Sequence, residues 1–214
     1  MTKDSHVVNN LNYYVRSQYF ENNLYSNFYE KVDGMKVRHK YRIRTYSKTK
    51  SNSSPIFLEM KSRILERTFK SRIELKKDHL DLIYQRKYDE LLNSFNAEVF
   101  IERFVFDCYR KRLHPMVLVD YQRSPYVSDY DTNFRLTFDR NIQSAICLEQ
   151  DSVFLHTPNW KKVNAGYCII EVKFLRRFPP WFRRIIHHYD LRRISISKFS
   201  TGMEVCGLAV DTGL

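Results

Sequence analysis

Strand-like segments whose two faces differ in kind constrain this chain most. Side chains along a β-strand point alternately to opposite faces, so residues two apart share a face. In Lys36–Tyr46 (KVRHKYRIRTY), Arg42 and Arg44 share one face while Tyr41, Ile43 and Thr45 share the other. In Ile56–Arg63 (IFLEMKSR) the charged set is Glu59, Lys61 and Arg63. In Phe69–Lys76 (FKSRIELK) Lys70, Arg72 and Glu74 align opposite Phe69, Ile73 and Leu75. Asn133–Arg140 sets Arg135, Thr137 and Asp139 against Phe134, Leu136 and Phe138, and Tyr167–Phe174 sets Glu171 and Lys173 against Ile170 and Val172. An ordinary antiparallel sheet with one solvated face gives the same alternation. The recurrence of arginine, whose planar fork matches phosphate oxygens, leaves a second reading open: a sheet curled so that its charged faces line a tunnel, with a polyanion or metal compensating them.

With Tyr13–Phe20, Val117–Arg123 and Ala145–Glu149, these segments predict about eight strands. Turns are expected at Asp33-Gly34, Ser51–Pro55, Ser128–Thr132 and Thr157–Asn159. Apolar residues near helical spacing predict helices over Asp78–Asn93 and Ala97–Arg112, and Pro179-Pro180 opens a third, Trp181 to about Leu191. Strands and helices do not alternate one for one. The expected fold is therefore α+β: a mainly antiparallel sheet closing into a tunnel-like barrel, with helices outside. The 214 residues suffice for a single domain, expected over 13–214 after a short tail at 1–12.

Lys and Arg total 36 against 24 Asp and Glu, a net charge of +12, which attracts polyanions and is equally compatible with a basic solvated surface. No apolar run is long enough to span a membrane, and Met1–Asn10 lacks the apolar stretch of a signal peptide. Cys108, Cys147, Cys168 and Cys206 are widely spaced among apolar neighbours, which predicts small buried hydrophobes in a reducing cytoplasm rather than a zinc site. His187-His188 is a poor ligand pair, since neighbours on a helix diverge by about 100°.

The segments YYVRSQYFEN, FYEKVDGMKVRHKYRIRTY, FLEMKSR, DYQRSPY, FRLTFDR, IIEVKF, PPWF and SISKFSTG follow one another as in the VTC domain. The chain resembles that family, the polyphosphate polymerase domain of the triphosphate tunnel metalloenzyme (CYTH-like) superfamily, from about Tyr13 to Gly202. The resemblance implies phosphate-binding roles for Arg42, Arg44, Lys61, Lys70, Arg123, Arg135 and Lys198. It places the residue that holds Mn²⁺ or Mg²⁺ at Glu171, with Glu59 in reserve, and a base-stacking aromatic at Tyr121. Family members carry a further strand and helix before the segment matching YYVRSQYF, where this chain has Met1–Asn10. An unpaired sheet edge is thus expected, open to a second copy or a membrane-protein partner.

The implied ligands are nucleoside triphosphate, polyphosphate or pyrophosphate, and the implied reaction is metal-dependent phosphoryl transfer that lengthens polyphosphate. A triphosphatase using the same pocket, and a non-catalytic sensor of polyphosphate or inositol phosphates, remain alternatives. DNA and RNA are not expected, because the aromatics fall mainly on apolar faces rather than beside the arginines. No P-loop motif is present.

Overall fold

A computed structural model describes residues 2–3, 12–49, 54–149, 151–155, 159–175 and 177–211. The elements run β1 (Thr2–Lys3), β2 (Tyr13–Glu21), α1 (Ser26–Val32), β3 (Val37–Thr45), β4 (Ile56–Ile64), β5 (Arg67–Leu75), α2 (Lys77–Tyr84), α3 (Tyr88–Ser94) and α4 (Val99–Lys111). They continue with β6 (His114–Val127), β7 (Arg135–Ile146), β8 (Lys161–Lys162), β9 (Ile169–Lys173), α5 (Pro180–His188) and α6 (Lys198–Val205). The strands form one antiparallel sheet in the order β5-β4-β3-β2-β6-β7-β8, with β1 paired to β6 and β9 to β7. Among the described residues no ladder joins β5 to the far end. The expected α+β antiparallel architecture stands, but among the described residues hydrogen bonds do not close the sheet into a barrel.

Three apolar clusters hold the sheet. On one face Tyr41, Ile43, Leu58 and Leu75 pack under α2, α3 and α4 through Leu80, Ile83, Leu91, Ile101 and Phe104. This is the apolar face that alternation predicts. Glu98 caps α4, its carboxylate accepting hydrogen bonds from the Phe100 and Ile101 amides and favoured there by the helix dipole. On the opposite face α6 lies directly on the sheet, burying Phe199 and Met203 against Val15, Val117, Val119 and Tyr121. Gly202 permits that approach, since a Cβ there would stand 2.8 Å from Ser144 Oγ. A third cluster packs α5 through Phe182 onto Phe134 and Leu136 at the end of β7.

Several elements differ from the sequence reading, each for a local reason. Asn133–Arg140 and Ala145–Glu149 belong to one strand, β7, because Asn141 takes a left-handed conformation (φ 52°) beside a bulge against Asp120–Gln122. The bulge reverses the parity, so that Asp139 and Ser144 face the same side. Asp78–Asn93 is two helices, broken where Arg86 adopts φ 57°. The short helices α1 and α6 lacked a periodic signal. The turn at Gly34 (φ 67°) occurs as expected. So does the one at Ser128–Thr132, where the Ser128 hydroxyl accepts from the Tyr130 and Asp131 amides. Residues 51–53 and 157–158 of the other two expected turns, and most of the 1–12 segment, lie outside the described residues. Cys108, Cys147 and Cys206 are buried, whereas Cys168 is exposed, contrary to expectation. Among the described residues no helix is long and apolar enough to cross a membrane.

Candidate functional site

Register carries the charged residues of several strands to one face. Arg42 on β3 lies directly between Tyr19 on β2 and Glu59 on β4, which in turn faces Arg72 on β5. Two residues along, Lys40, Lys61 and Lys70 stand side by side. Across the sheet, Arg123 on β6 pairs with Tyr13 and Asp139, Thr137 pairs with Glu171, and Arg135 pairs with Lys173. Residues opposite one another across antiparallel strands project to the same side. All the strand-borne residues predicted for the site therefore share the face on which α6 rests, and Lys198 opens α6 there.

Two buried carboxylates organise these cations. Glu59 is 1% exposed and takes Arg42 at 2.6 Å, Arg44 at 3.6 Å and Lys70 at 3.4 Å. Burial alone would disfavour its charge, but Arg42 and Arg44 overcome that and hold its carboxyl below the usual range. Asp139 is fully buried and accepts two hydrogen bonds from Arg123, at 2.7 and 2.8 Å, with Lys198 at 2.7 Å. Its pKa is likewise lowered, burial being outweighed by the bonds from Arg123 and the charge of Lys198. Half-buried Glu171 completes the group, 3.2 Å from Arg123 and 3.4 Å from Lys173, which with Lys198 keep it ionised against its own burial. Three carboxylates thus meet six cations: Arg42, Arg44, Lys70, Arg123, Lys173 and Lys198. Lys61 and Arg72 add to the surplus from the same rows, against the one further exposed carboxylate there, Glu74. Such a face attracts a ligand bearing several negative charges.

Two residues meet surroundings that differ from those the resemblance implies. Tyr121 is 3% exposed, with Arg123 and Lys198 lying 5.4 and 5.1 Å from its ring centre. It props these cations and offers no open face to a nucleotide base. Glu59, the reserve metal ligand, is enclosed by three cations that repel a further one, and serves as their anchor. Arg135 and Lys61 keep their place on this face and are exposed, Lys61 beside Lys70. The sequence reading also missed Lys40, whose ammonium sits 4.3 Å from the Phe199 ring centre and whose pKa burial pushes down to about 7. Its parity with Arg42 was the available signal.

The profile of the VTC domain matches residues 1–206, nearly the whole chain. The chain belongs to the VTC domain family. No curated protein matches it. Among solved structures this VTC domain is similar to a Bacillus halodurans protein described as a candidate adenylate cyclase. The two are 12% identical over 92% of this chain and 90% of that one, with a TM-score of 0.46. A second similar structure is the PH1819 protein of Pyrococcus horikoshii OT3, 15% identical over 84% of this chain and 72% of that one, with a TM-score of 0.39.

The VTC domain offers a hard divalent ion limited support of its own. Among the described residues no three His, Cys, Asp or Glu side chains converge. Both oxygens of Asp139 are occupied by Arg123 and Lys198. What remains is Glu171 and, opposite it, the buried Thr137 hydroxyl, which has no hydrogen-bond partner in the protein. A single carboxylate suits Mg²⁺ or Mn²⁺ when phosphate oxygens and water supply the other ligands, and does not suit a site made by protein alone.

Proposed function

We propose that this VTC domain binds a nucleoside triphosphate or polyphosphate on its cationic face and transfers a phosphoryl group, with polyphosphate synthesis from ATP as the reaction. The cation surplus around Glu59 and Asp139 carries this reading, together with family membership. In phosphoryl transfer the protein positions the reactants and stabilises charge on the transferred group, so no nucleophilic side chain is required. Arg42, Arg44, Arg123 and Lys198 are positioned by buried carboxylates before any ligand arrives, which lowers the cost of ordering them. Lys61, Lys70 and Arg135 extend the same field outward. The terminal phosphoryl of ATP passes to an end oxygen of the growing chain, and ADP leaves. Glu171 would hold Mn²⁺ or Mg²⁺, which when bound supplies Lewis-acid neutralisation of phosphate charge.

Among the described residues the ladder between β5 and the opposite edge is open, which favours a second reading, since it admits water beside the bound phosphate. With water as acceptor the same face is a triphosphatase. One incubation tests both: ATP with Mn²⁺, followed by sizing of polymer and assay of free phosphate. Lengthening polyphosphate with ADP release is the expected result. Free phosphate without polymer replaces synthesis by hydrolysis, and neither product leaves a binding module.

A further inference from the structure

The stretch from Arg177 to Ile194, with Leu175 before it, forms a surface that neither the core nor the phosphate face uses. It contains five arginines, Arg177, Arg183, Arg184, Arg192 and Arg193, and one carboxylate, Asp190. α5 turns Phe182 into the core against Phe134, while Arg183, Arg184, His187 and His188 point to solvent within an arc of about 140°. Apolar side chains of the same stretch stay uncovered: Leu175, which shares a cleft with Arg177, and Ile194 are each 72% exposed, and Ile185 on α5 and Leu191 just after it are exposed too. Arg177 and Arg183 also line an open cleft of about 720 Å³ with Trp181 and Tyr130. Asp131 is the cleft's one acidic group.

We propose that this surface docks the protein onto an anionic lipid bilayer, with the arginines against lipid phosphates and Leu175, Ile185, Leu191 and Ile194 entering the headgroup boundary. Charge complementarity selects the anionic surface, and the uncovered aliphatic residues select lipid. Arginines with flanking aliphatic residues bind membranes through both terms at once. A nucleic-acid surface would instead set aromatic rings among its cations for base stacking. Aromatic rings do stand here, Trp181 and Tyr130 in the cleft and Tyr189 after α5. The side chains between Arg184 and Arg192 are nonetheless mostly aliphatic or histidine, and the nucleic-acid alternative is left to the test below. The proposal stands independently of the phosphoryl-transfer reading, because none of these residues belongs to the cation–carboxylate clusters.

Flotation with phosphatidylcholine vesicles, and with vesicles one quarter phosphatidylserine, tests the idea. The full chain is expected to partition at least about tenfold more strongly into the anionic vesicles, and to be released by salt. Arg183→Glu with Arg184→Glu should abolish that preference. Leu191→Ser with Ile194→Ser should weaken anionic binding several-fold. An unchanged circular dichroism spectrum and thermal midpoint show that each variant is folded. Absent binding, equal binding to both vesicle types, or full binding by the glutamate variant overturns the proposal. It is equally overturned if single-stranded RNA displaces the protein from vesicles while the serine variant binds as well as the original chain, which identifies a nucleic-acid surface.

Discussion

Each face of the sheet buries a carboxylate against arginine, but the Arg16–Asp120 pair and the clusters at Glu59 and Asp139 hold charge in different proportions. On the face beneath α2, Arg16 meets Asp120 in a paired fork at 2.8 Å, with Tyr14 donating to the same carboxylate. The guanidinium also donates to the Val153 and Leu155 carbonyls and lies over the Trp160 ring, 5.2 Å from its centre. One cation meets one anion, and the spare donors pin the 151–155 segment to the sheet. On the other face Glu59 and Asp139 each gather more cations than they can neutralise. A balanced pair is a structural staple. An unbalanced cluster, held in place by a buried carboxylate, reaches neutrality only when an anion binds.

The largest expected effect lies on the balanced face. Arg16→Ala leaves Asp120 buried and without its cation, and should cost about 3–5 kcal/mol of stability in urea denaturation. Tripolyphosphate affinity of the folded fraction should stay constant. A loss of affinity with unchanged stability would erase the distinction between the faces. Next, Glu171→Gln keeps the side chain's shape but removes the charge a hard cation needs, so Mn²⁺-dependent turnover should largely vanish with circular dichroism unaltered. Full activity in that variant would move the metal away from Glu171. On the cationic face, Arg123→Ala should weaken tripolyphosphate binding by about 1.5–3 kcal/mol in calorimetric titration, the range for removing a charge-assisted hydrogen bond. Arg135→Ala, at an exposed position, should weaken it less. The reverse order would place the phosphates over Arg135, not beside Asp139.

Alternation made much of this legible in the sequence. Arg42, Arg44, Glu59, Lys61 and Lys70 needed only parity, because β3, β4 and β5 pair in unbroken register. Parity failed where the backbone leaves the regular strand: the bulge at Asn141 disguised β7 as two strands. Which cations sit over which carboxylate was also hidden. Asp139 gathers Arg123 from the neighbouring strand and Lys198 from a distant helix, and sequence spacing does not report such a meeting. The burial of Tyr121 depends on α6, whose position turns on the close approach at Gly202.

The smallest expected effect concerns Lys40. Burial lowers its pKa from the ordinary lysine value to about 7; Glu21 opposes the shift, while Lys31, Arg38 and Lys61 reinforce it. From α6 its packed neighbour is the uncharged ring of Phe199. Between about pH 7 and the ordinary lysine value near 10.4, the unfolded chain holds a proton here that the folded chain lacks. Stability should therefore rise with pH across that window through this group and stay level below it. A bound polyanion favours the charged amine and draws the proton back, so Lys40 should aid binding at pH 6.5 more than at pH 9. The affinity ratio between the native chain and Lys40→Met should fall from about tenfold to about twofold over that range, as expected when deprotonation removes the charge from one hydrogen bond to phosphate. Titration of tripolyphosphate's own protons cancels in that ratio. Parallel pH profiles for the two proteins would show that Lys40 takes no part in holding phosphate, and would confine the unbalanced face to the cations around Glu59, Asp139 and Glu171.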